Sequence, residues 1–358
     1  MNGKKIRIAS IGVGMIGHVH AKILSRIEEC DYTGIADLDS QAEEIAKQLG
    51  TRFYEDYKEM IDKERPDGVA IAVPNELHES IGCYCLQRGV HVFMEKPIAP
   101  TISEAQALIK SARENNLKLL IGHHRRFNPM VNATKEMIKR GELGDLIGIS
   151  VLWAMYKPSE YFVAGDWRKK KGGGPILINT IHEIDDLRYM YGEIERVCAE
   201  ASNKTRKFEV EDTVCVTVRF TDGVLASVLM SDTAPSLWAY EATMGENKFF
   251  FPTQGDIYHF LGRKASLTFP GMVKVYYADP SKMGWQYPLT TEHLDIKSSD
   301  PYPEQMSHFC RVIRGEEKPR TSGEDALRTL RVVSAIIESV EKRKPITVEY
   351  QPLFRKKA

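Results

Sequence analysis

The stretch from residue 6 to residue 17, IRIASIGVGMIG, constrains this chain more than any other. Residues 6 to 11 read as a short buried strand. Gly12, Gly14 and Gly17 follow in G-x-G-x-x-G spacing, and a helical pattern continues to about Glu29. The spacing alone is a weak signal; between a strand and a helix it acquires meaning. Gly12 permits a tight turn, Gly14 lets backbone approach a pyrophosphate, and Gly17 lets the helix pack against the strand. The helix start then offers free N–H groups and a partial positive charge to phosphates. A second strand, YTGIA, leads into Asp37, where a carboxylate accepts hydrogen bonds from ribose hydroxyls and repels a 2′-phosphate. NAD is therefore favoured as cofactor, with NADP possible because Asp39 and its neighbours can modify the choice. The competing reading makes Asp37 a turn residue, with Asp39 and Ser40 as helix caps.

The alternation continues. GVAIAVP (68–74), HVFMEKP (91–97) and LKLLIGHH (117–124) read as strands. Residues 77–89 and 103–116 read as helices, the latter with Ser103 as its expected N-cap. Such alternation argues for a doubly wound parallel sheet, with ligands beyond the carboxyl ends of the strands. Pro74, Asn75, Lys96, His123 and His124 lie at such ends. Past RRFNP (125–129) the pattern changes. DTVCVTVRF puts Val214, Val216, Val218 and Phe220 on one face, and Asp-Gly separates it from VLASVLM, so the two pair as an antiparallel hairpin. Further strands are expected near 239–251, 263–269 and 272–278, and two helices near the end. The fold class is thus α/β: a first domain over 1–125 and an α+β domain over 126–358. One sheet face of the second domain is covered; the other suits an oligomer interface.

Lys plus Arg and Asp plus Glu number 49 each, so nothing in the charge balance favours nucleic acid or a membrane surface. The six cysteines, scattered without a disulfide framework, read as reduced thiols in a cytoplasm. The opening MNGKKIRIAS does not read as a signal peptide. No metal is expected: His123 and His124 are adjacent in a strand and point to opposite faces.

One more segment carries chemistry, GGGPILINTIHEIDDLRYMYG (172–192), read as a helix. Ile181, Ile184 and Leu187 serve the core, while Asn179, His182 and Asp185 recur every third residue and share a neighbourhood. A helical histidine beside a carboxylate is more often structural than catalytic.

Taken in order, GVGMIG, AVPNELH, EKPIA, RRFNP, DWR, GGGPILINTIHEID and RGEEKPRTSGEDALRTLRVV resemble the Gfo/Idh/MocA oxidoreductases over nearly the whole chain. The resemblance implies a Rossmann domain followed by an α/β domain with a large open, mainly antiparallel sheet, assembled as a homodimer or homotetramer. It implies that Gly12, Gly14, Met15, Ile16, Gly17, Asp37, Pro74, Asn75, His78, Glu95, Lys96 and Arg168 line the cofactor. Lys96 and His182 become the catalytic pair, and His124, Arg125, Asn179 and Asp185 the substrate contacts. Polyol dehydrogenases of this family often carry an aspartate four positions before the histidine; here that position is Ile178, and Asn179 follows it. The expected reaction moves a hydride between a secondary alcohol of a sugar, polyol or cyclic diol and a nicotinamide. His182 takes the hydroxyl proton and Lys96 stabilises the alkoxide. An NAD-dependent glycoside hydrolase and a ketone or dihydrodiol enzyme remain alternatives. Trp153, Tyr156, Tyr161 and Trp238 are the expected aromatic specificity residues.

Overall fold

In the computed structural model, which describes residues 5–163, 165–246 and 249–350, the glycine-loop strand sits at the centre of a six-stranded parallel sheet. The chain runs β1 (Ile6–Ile11), α1 (Met15–Leu24), β2 (Cys30–Ala36), α2 (Ala42–Gln48), β3 (Arg52–Tyr54), α3 (Tyr57–Glu64), β4 (Gly68–Ile71), α4 (His78–Gln87), β5 (His91–Met94), α5 (Ile102–Glu114) and β6 (Leu119–Ile121). The strand order is β3-β2-β1-β4-β5-β6. β1 pairs with both β2 and β4, so the winding reverses beside it, where such sheets bind ligands. The central strands read as apolar runs because both faces are covered: Ile8, Val69, Ile71, Val92 and Phe93 are completely buried.

Two details differ from the sequence reading. α1 ends at Leu24 rather than near Glu29, because the chain must turn so that Cys30 can pair beside Ile6. α5 is capped by Thr101, not Ser103: its hydroxyl accepts from Glu104 N at 3.3 Å while Glu104 Oε2 accepts from Thr101 N at 3.0 Å. Glutamate at the third helical position selects Thr101 through this reciprocal box.

The chain continues with α6 (Pro129–Lys139), β7 (Leu146–Ala154), α7 (Ser159–Val163), a π-helical turn (Ile176–Thr180), α8 (Ile181–Met190), β8 (Ile194–Ser202), β9 (Thr213–Phe220), β10 (Leu225–Ser231), α9 (Tyr240–Thr243), β11 (Tyr258–Gly262), β12 (Ala265–Phe269), β13 (Val273–Tyr276), β14 (Thr290–His293), α10 (Pro301–Ile313), α11 (Gly323–Lys342) and β15 (Ile346–Thr347). Nine of these strands form a second sheet, ordered β14-β13-β12-β11-β7-β10-β9-β8-β15. It is antiparallel except between β7 and β10. In the β9–β10 hairpin Val214, Val216, Val218 and Phe220 face inward with Ala226, Val228 and Met230, all buried. The strand expected near 239–251 is instead the short helix α9 together with irregular chain. One helical turn buries Tyr240 completely and brings Glu241 to the indole N–H of Trp153 at 3.0 Å. Residues 247 and 248 of that stretch lie outside the described residues.

The described chain forms two compact units, residues 5–127 with 301–330 and residues 128–300 with 331–350. A single division near residue 125 assigns α10 to the second domain; in the structure Met306, Phe309, Cys310 and Val312 of α10 pack with Ile6, Ile8, Phe93 and Leu120 of the parallel sheet. No helix among the described residues is long and apolar enough to cross a membrane.

Candidate active site

In the first unit, the glycine loop has the shape its sequence requires. Gly12 has φ +83°, and a Cβ there would meet the carbonyl oxygen of Ala72 at 2.6 Å. A Cβ on Gly17 would lie 2.2 Å from the carbonyl oxygen of Gly12. Gly14 is different: a Cβ there would meet nothing within 4 Å. Close packing thus fixes the first and third glycines, and an open approach is left over the second, at the start of α1. That is the fit a dinucleotide pyrophosphate needs. Met15 is exposed beside it and Ile16 half-buried. Asp37 follows β2 and serves the loop directly, its Oδ2 accepting from Val13 N at 2.7 Å and its Oδ1 from Asp39 N at 2.9 Å. Each oxygen keeps a further lone pair, so the turn role and ribose recognition are compatible. Pro74 is exposed and Asn75 half-buried at the carboxyl side of β4.

The EKP turn follows β5 and contains a cis peptide between Lys96 and Pro97. Glu95 is buried, and its Oε1 meets Nε2 of His20 at 2.7 Å. Burial alone would raise the Glu95 pKa; the hydrogen bond and charge of His20, with Lys96 and His124, hold it instead at about 2. Glu95 Oε2 accepts from the backbone N of Lys96 at 3.1 Å. A Cβ on Gly122 would meet Glu95 Oε1 at 2.8 Å, so this glycine makes room for the carboxylate. His78 has no exposed surface; its ring nitrogens lie 2.9 Å from the Pro97 carbonyl and 3.1 Å from the Val73 carbonyl. In this conformation it braces the turn from inside, and burial lowers its pKa. Lys96 itself is half-buried. His124 is stacked on Tyr302 with ring centroids 4.6 Å apart, and Arg125 is buried.

His20 and Tyr302 were not evident as site residues in the sequence. Their only local signals are a histidine on the inward side of the glycine-loop helix and an aromatic near the start of α10.

In the second unit, His182 and Asp185 lie in the first turns of α8 and are buried. Ile181, Ile184 and Leu187 are buried on the same helix, as the periodicity requires. Asn179 belongs to the preceding π-turn rather than to a continuous α-helix, so the every-third-residue spacing does not describe it. Thr180 donates its side-chain hydroxyl to the Pro175 carbonyl at 3.2 Å, tying the two ends of the turn together. Lys157, another residue with no clear sequence signal, donates to Asn179 Oδ1 at 2.6 Å. Arg168 stacks over Tyr161, its guanidinium carbon 4.0 Å from the ring centre, and donates to the Tyr161 carbonyl. Among the expected aromatic specificity residues, Tyr156 and Trp238 are exposed and Tyr161 is half-buried. Trp153 is completely buried, so it belongs to the core and not to a substrate surface.

Comparison with known proteins bears on both domains. Residues 6–123 match the model of an oxidoreductase family with an NAD-binding Rossmann fold. Residues 135–348 match that family's C-terminal alpha/beta domain. Myo-inositol 2-dehydrogenase of Thermotoga maritima is 25% identical over 353 residues, covering 96% of this chain and 99% of the relative. The 1,5-anhydro-D-fructose reductase of Ensifer adhaerens is 29% identical over 289 residues, 79% of this chain and 80% of the relative. Among solved structures, the WlbA dehydrogenase of Bordetella pertussis, in complex with NADH and UDP-GlcNAcA, superposes with a TM-score of 0.79 at 22% identity, covering 97% of this chain and all (100%) of the other.

Proposed function

The chain belongs to the Gfo/Idh/MocA oxidoreductase family, and on that premise we propose that it interconverts a secondary alcohol of a sugar, polyol or related cyclic diol with the corresponding ketone. NAD(P), when bound, accepts or returns the hydride. The rest falls to the protein. The open face of Gly14 at the start of α1 supports pyrophosphate binding, and the Asp37 carboxylate supports NAD over NADP. We assign proton transfer to His182, since imidazole has an intrinsic pKa near working pH. Charge stabilisation is assigned to Lys96, an ammonium donor for developing alkoxide character. His124, Arg125, Asn179 and Asp185 are assigned to substrate, and the outward face of the nine-stranded sheet to self-association as a homodimer or homotetramer.

The observation that carries this reading is the environment of Lys96. It stands just beyond the carboxyl end of β5, on a turn held by a buried carboxylate on one side and a buried imidazole on the other. Such bracing suits a residue that must be placed accurately. The test is an NADH-absorbance screen over polyols, aldoses, glycosides and dihydrodiols with NAD and NADP. On the substrate found, Lys96→Ala is expected to lose at least about a hundredfold in kcat, typical of a removed charge-stabilising donor, with NAD binding retained by fluorescence titration. Undiminished turnover removes the assignment. Release of an aglycone from a glycoside without net NADH replaces it with the hydrolase reading.

A further inference from the structure

Asn179 occupies the stretch where the chain departs from the polyol-dehydrogenase pattern, and the structure fixes which way its amide points. The segment after β7 brings in Lys157, which is buried, and its ammonium sits 2.6 Å from Asn179 Oδ1 and 3.4 Å from Asp232 Oδ2. An ammonium only donates, so the amide atom facing it has to be the carbonyl oxygen. Turning the amide over would press an NH2 group against a buried cation.

Lys157 is itself unable to move aside. Asp232 is buried, with Oδ2 on Lys157 and Oδ1 on Arg206 Nε at 2.9 Å. Arg206 also donates to the Lys157 carbonyl at 2.8 Å and the Asp232 carbonyl at 2.6 Å. The Arg206 backbone N is in turn held by Asp212 Oδ2 at 2.9 Å. Burial holds the Lys157 pKa below the ordinary lysine value, and the charge and hydrogen bond of Asp232 oppose that shift. With Oδ1 committed, Asn179 presents its Nδ2 hydrogens. No hydrogen bond from that nitrogen to protein is found among the described residues, and the side chain is only half-buried.

We infer that Asn179 is a fixed hydrogen-bond donor, locked by Lys157, and that it favours substrates presenting a stronger acceptor than a hydroxyl at this point: a carboxylate, as in a uronic acid, or a carbonyl. An aspartate in this region does the reverse and accepts from a sugar hydroxyl, so the polarity of the contact is inverted here. Lys157 is a positioning residue, acting through Asn179. The inference rests on the assignment of Asn179 to substrate made above, but its test does not depend on turnover.

The measurement is calorimetric binding to the NAD-loaded protein of two ligand pairs, D-glucuronate against D-glucose and 2-keto-myo-inositol against myo-inositol. The wild-type protein is expected to bind the carboxylate- or ketone-bearing member of at least one pair roughly tenfold tighter, the value of one strengthened hydrogen bond. Preference confined to glucuronate identifies a carboxylate; preference in both pairs identifies a neutral acceptor as sufficient. Asn179→Asp keeps the contact with Lys157 but offers a lone pair instead of a hydrogen, and is expected to abolish or invert the preference. The neutral inositol pair separates this from simple repulsion of glucuronate. Lys157→Met, with folding checked by circular dichroism, is expected to shrink the preference to within about threefold because the amide can then rotate. Equal binding of both members of both pairs by the wild type, or an Asn179→Asp preference unchanged from it, overturns the inference. NADH formation in the same samples reports separately on the redox reading, so preference without turnover leaves the donor role standing while removing the dehydrogenase assignment.

Discussion

Glu95 is ionised inside the protein, which is costly unless partners repay the lost hydration. Here the partners are His20 at 2.7 Å and the adjoining Lys96 backbone N–H. The consequence is a dependence of stability on pH with a definite sign. Glu95 titrates near 2 in the folded state against an ordinary value of 4.5. A group with a depressed folded pKa contributes stability fully above its unfolded pKa and loses it as pH falls through the folded one. The window therefore runs from about pH 4.5 down to about pH 2, and the contribution at neutral pH is about 3 kcal/mol at 1.36 kcal/mol per pKa unit. Urea unfolding of Glu95→Gln is expected to show a stability lower by up to that amount at pH 7 and a shallower decline between pH 5 and pH 2.5. A variant whose acid profile parallels that of the wild type would show that the pair contributes nothing of the kind. The same substitution weakens the brace beneath Lys96, so turnover should fall as well.

At the scale of elements, the strand–loop–helix of residues 6–24 makes a contrasting pair of predictions. Gly17→Ala forces a Cβ to within 2.2 Å of the Gly12 carbonyl, so α1 must move off the loop. A loss of at least about 2 kcal/mol in unfolding free energy is expected, as for other overpacked sites. Gly14→Ala meets no atom within 4 Å, so its stability is expected to stay within about 1 kcal/mol of wild type. Its added methyl group occupies the approach proposed for the pyrophosphate, and NAD affinity is expected to drop at least about tenfold by fluorescence titration. Unchanged NAD affinity in Gly14→Ala would move the cofactor elsewhere. This element was legible in the sequence because its constraints are local: a buried strand, three glycines and a helix start lie within a single short run. The β9–β10 hairpin was legible for the same reason, period-two burial on either side of Asp-Gly. Features that depend on distant partners were not. His20 and Glu95 are 75 positions apart, and nothing near either residue announces the pair. Lys157 and Asn179 meet across 22 positions, and the π-turn that carries Asn179 has no periodic signature of its own. Thr101 and Ser103 are both good caps, and only the reach of Glu104 decides between them. Trp153 looked like a stacking surface because aromatic residues serve both roles; its indole N–H finds Glu241 only once α9 has formed.

The whole molecule spends its apolar surface unevenly. The parallel sheet is covered on both sides, part of one side by α10, which returns from late in the chain. The nine-stranded sheet has one deeply buried face, and its other face leaves Leu225, Leu229 and Leu261 exposed. These residues are in register: Leu225 and Leu261 both pair with Gly148, and Leu229 pairs with Leu152 on β7. Between them lie Ser150, Ser227, Thr217 and His259. This band of leucines and small polar residues is sparse in charge, and Arg219 beside Leu225 is already paired with Glu195, so little protects the face from association. With equal numbers of acidic and basic residues, 49 each, the chain also carries no net charge to hold copies apart. Self-association through this face follows as the whole-molecule prediction. Sedimentation at micromolar concentration is expected to give a dimer or tetramer for the wild type. Leu225→Lys with Leu229→Lys places two cations on this face of each copy, so a self-complementary interface through it gathers like charge from both copies. The double variant is expected to weaken association by at least about a hundredfold, since each lost apolar contact and each unpaired charge costs of the order of 1 kcal/mol or more. Its fold should survive, because both positions point away from the buried face. A monomeric wild type, or a double variant that sediments like it, would assign this face to another covering and leave the oligomer to a different surface.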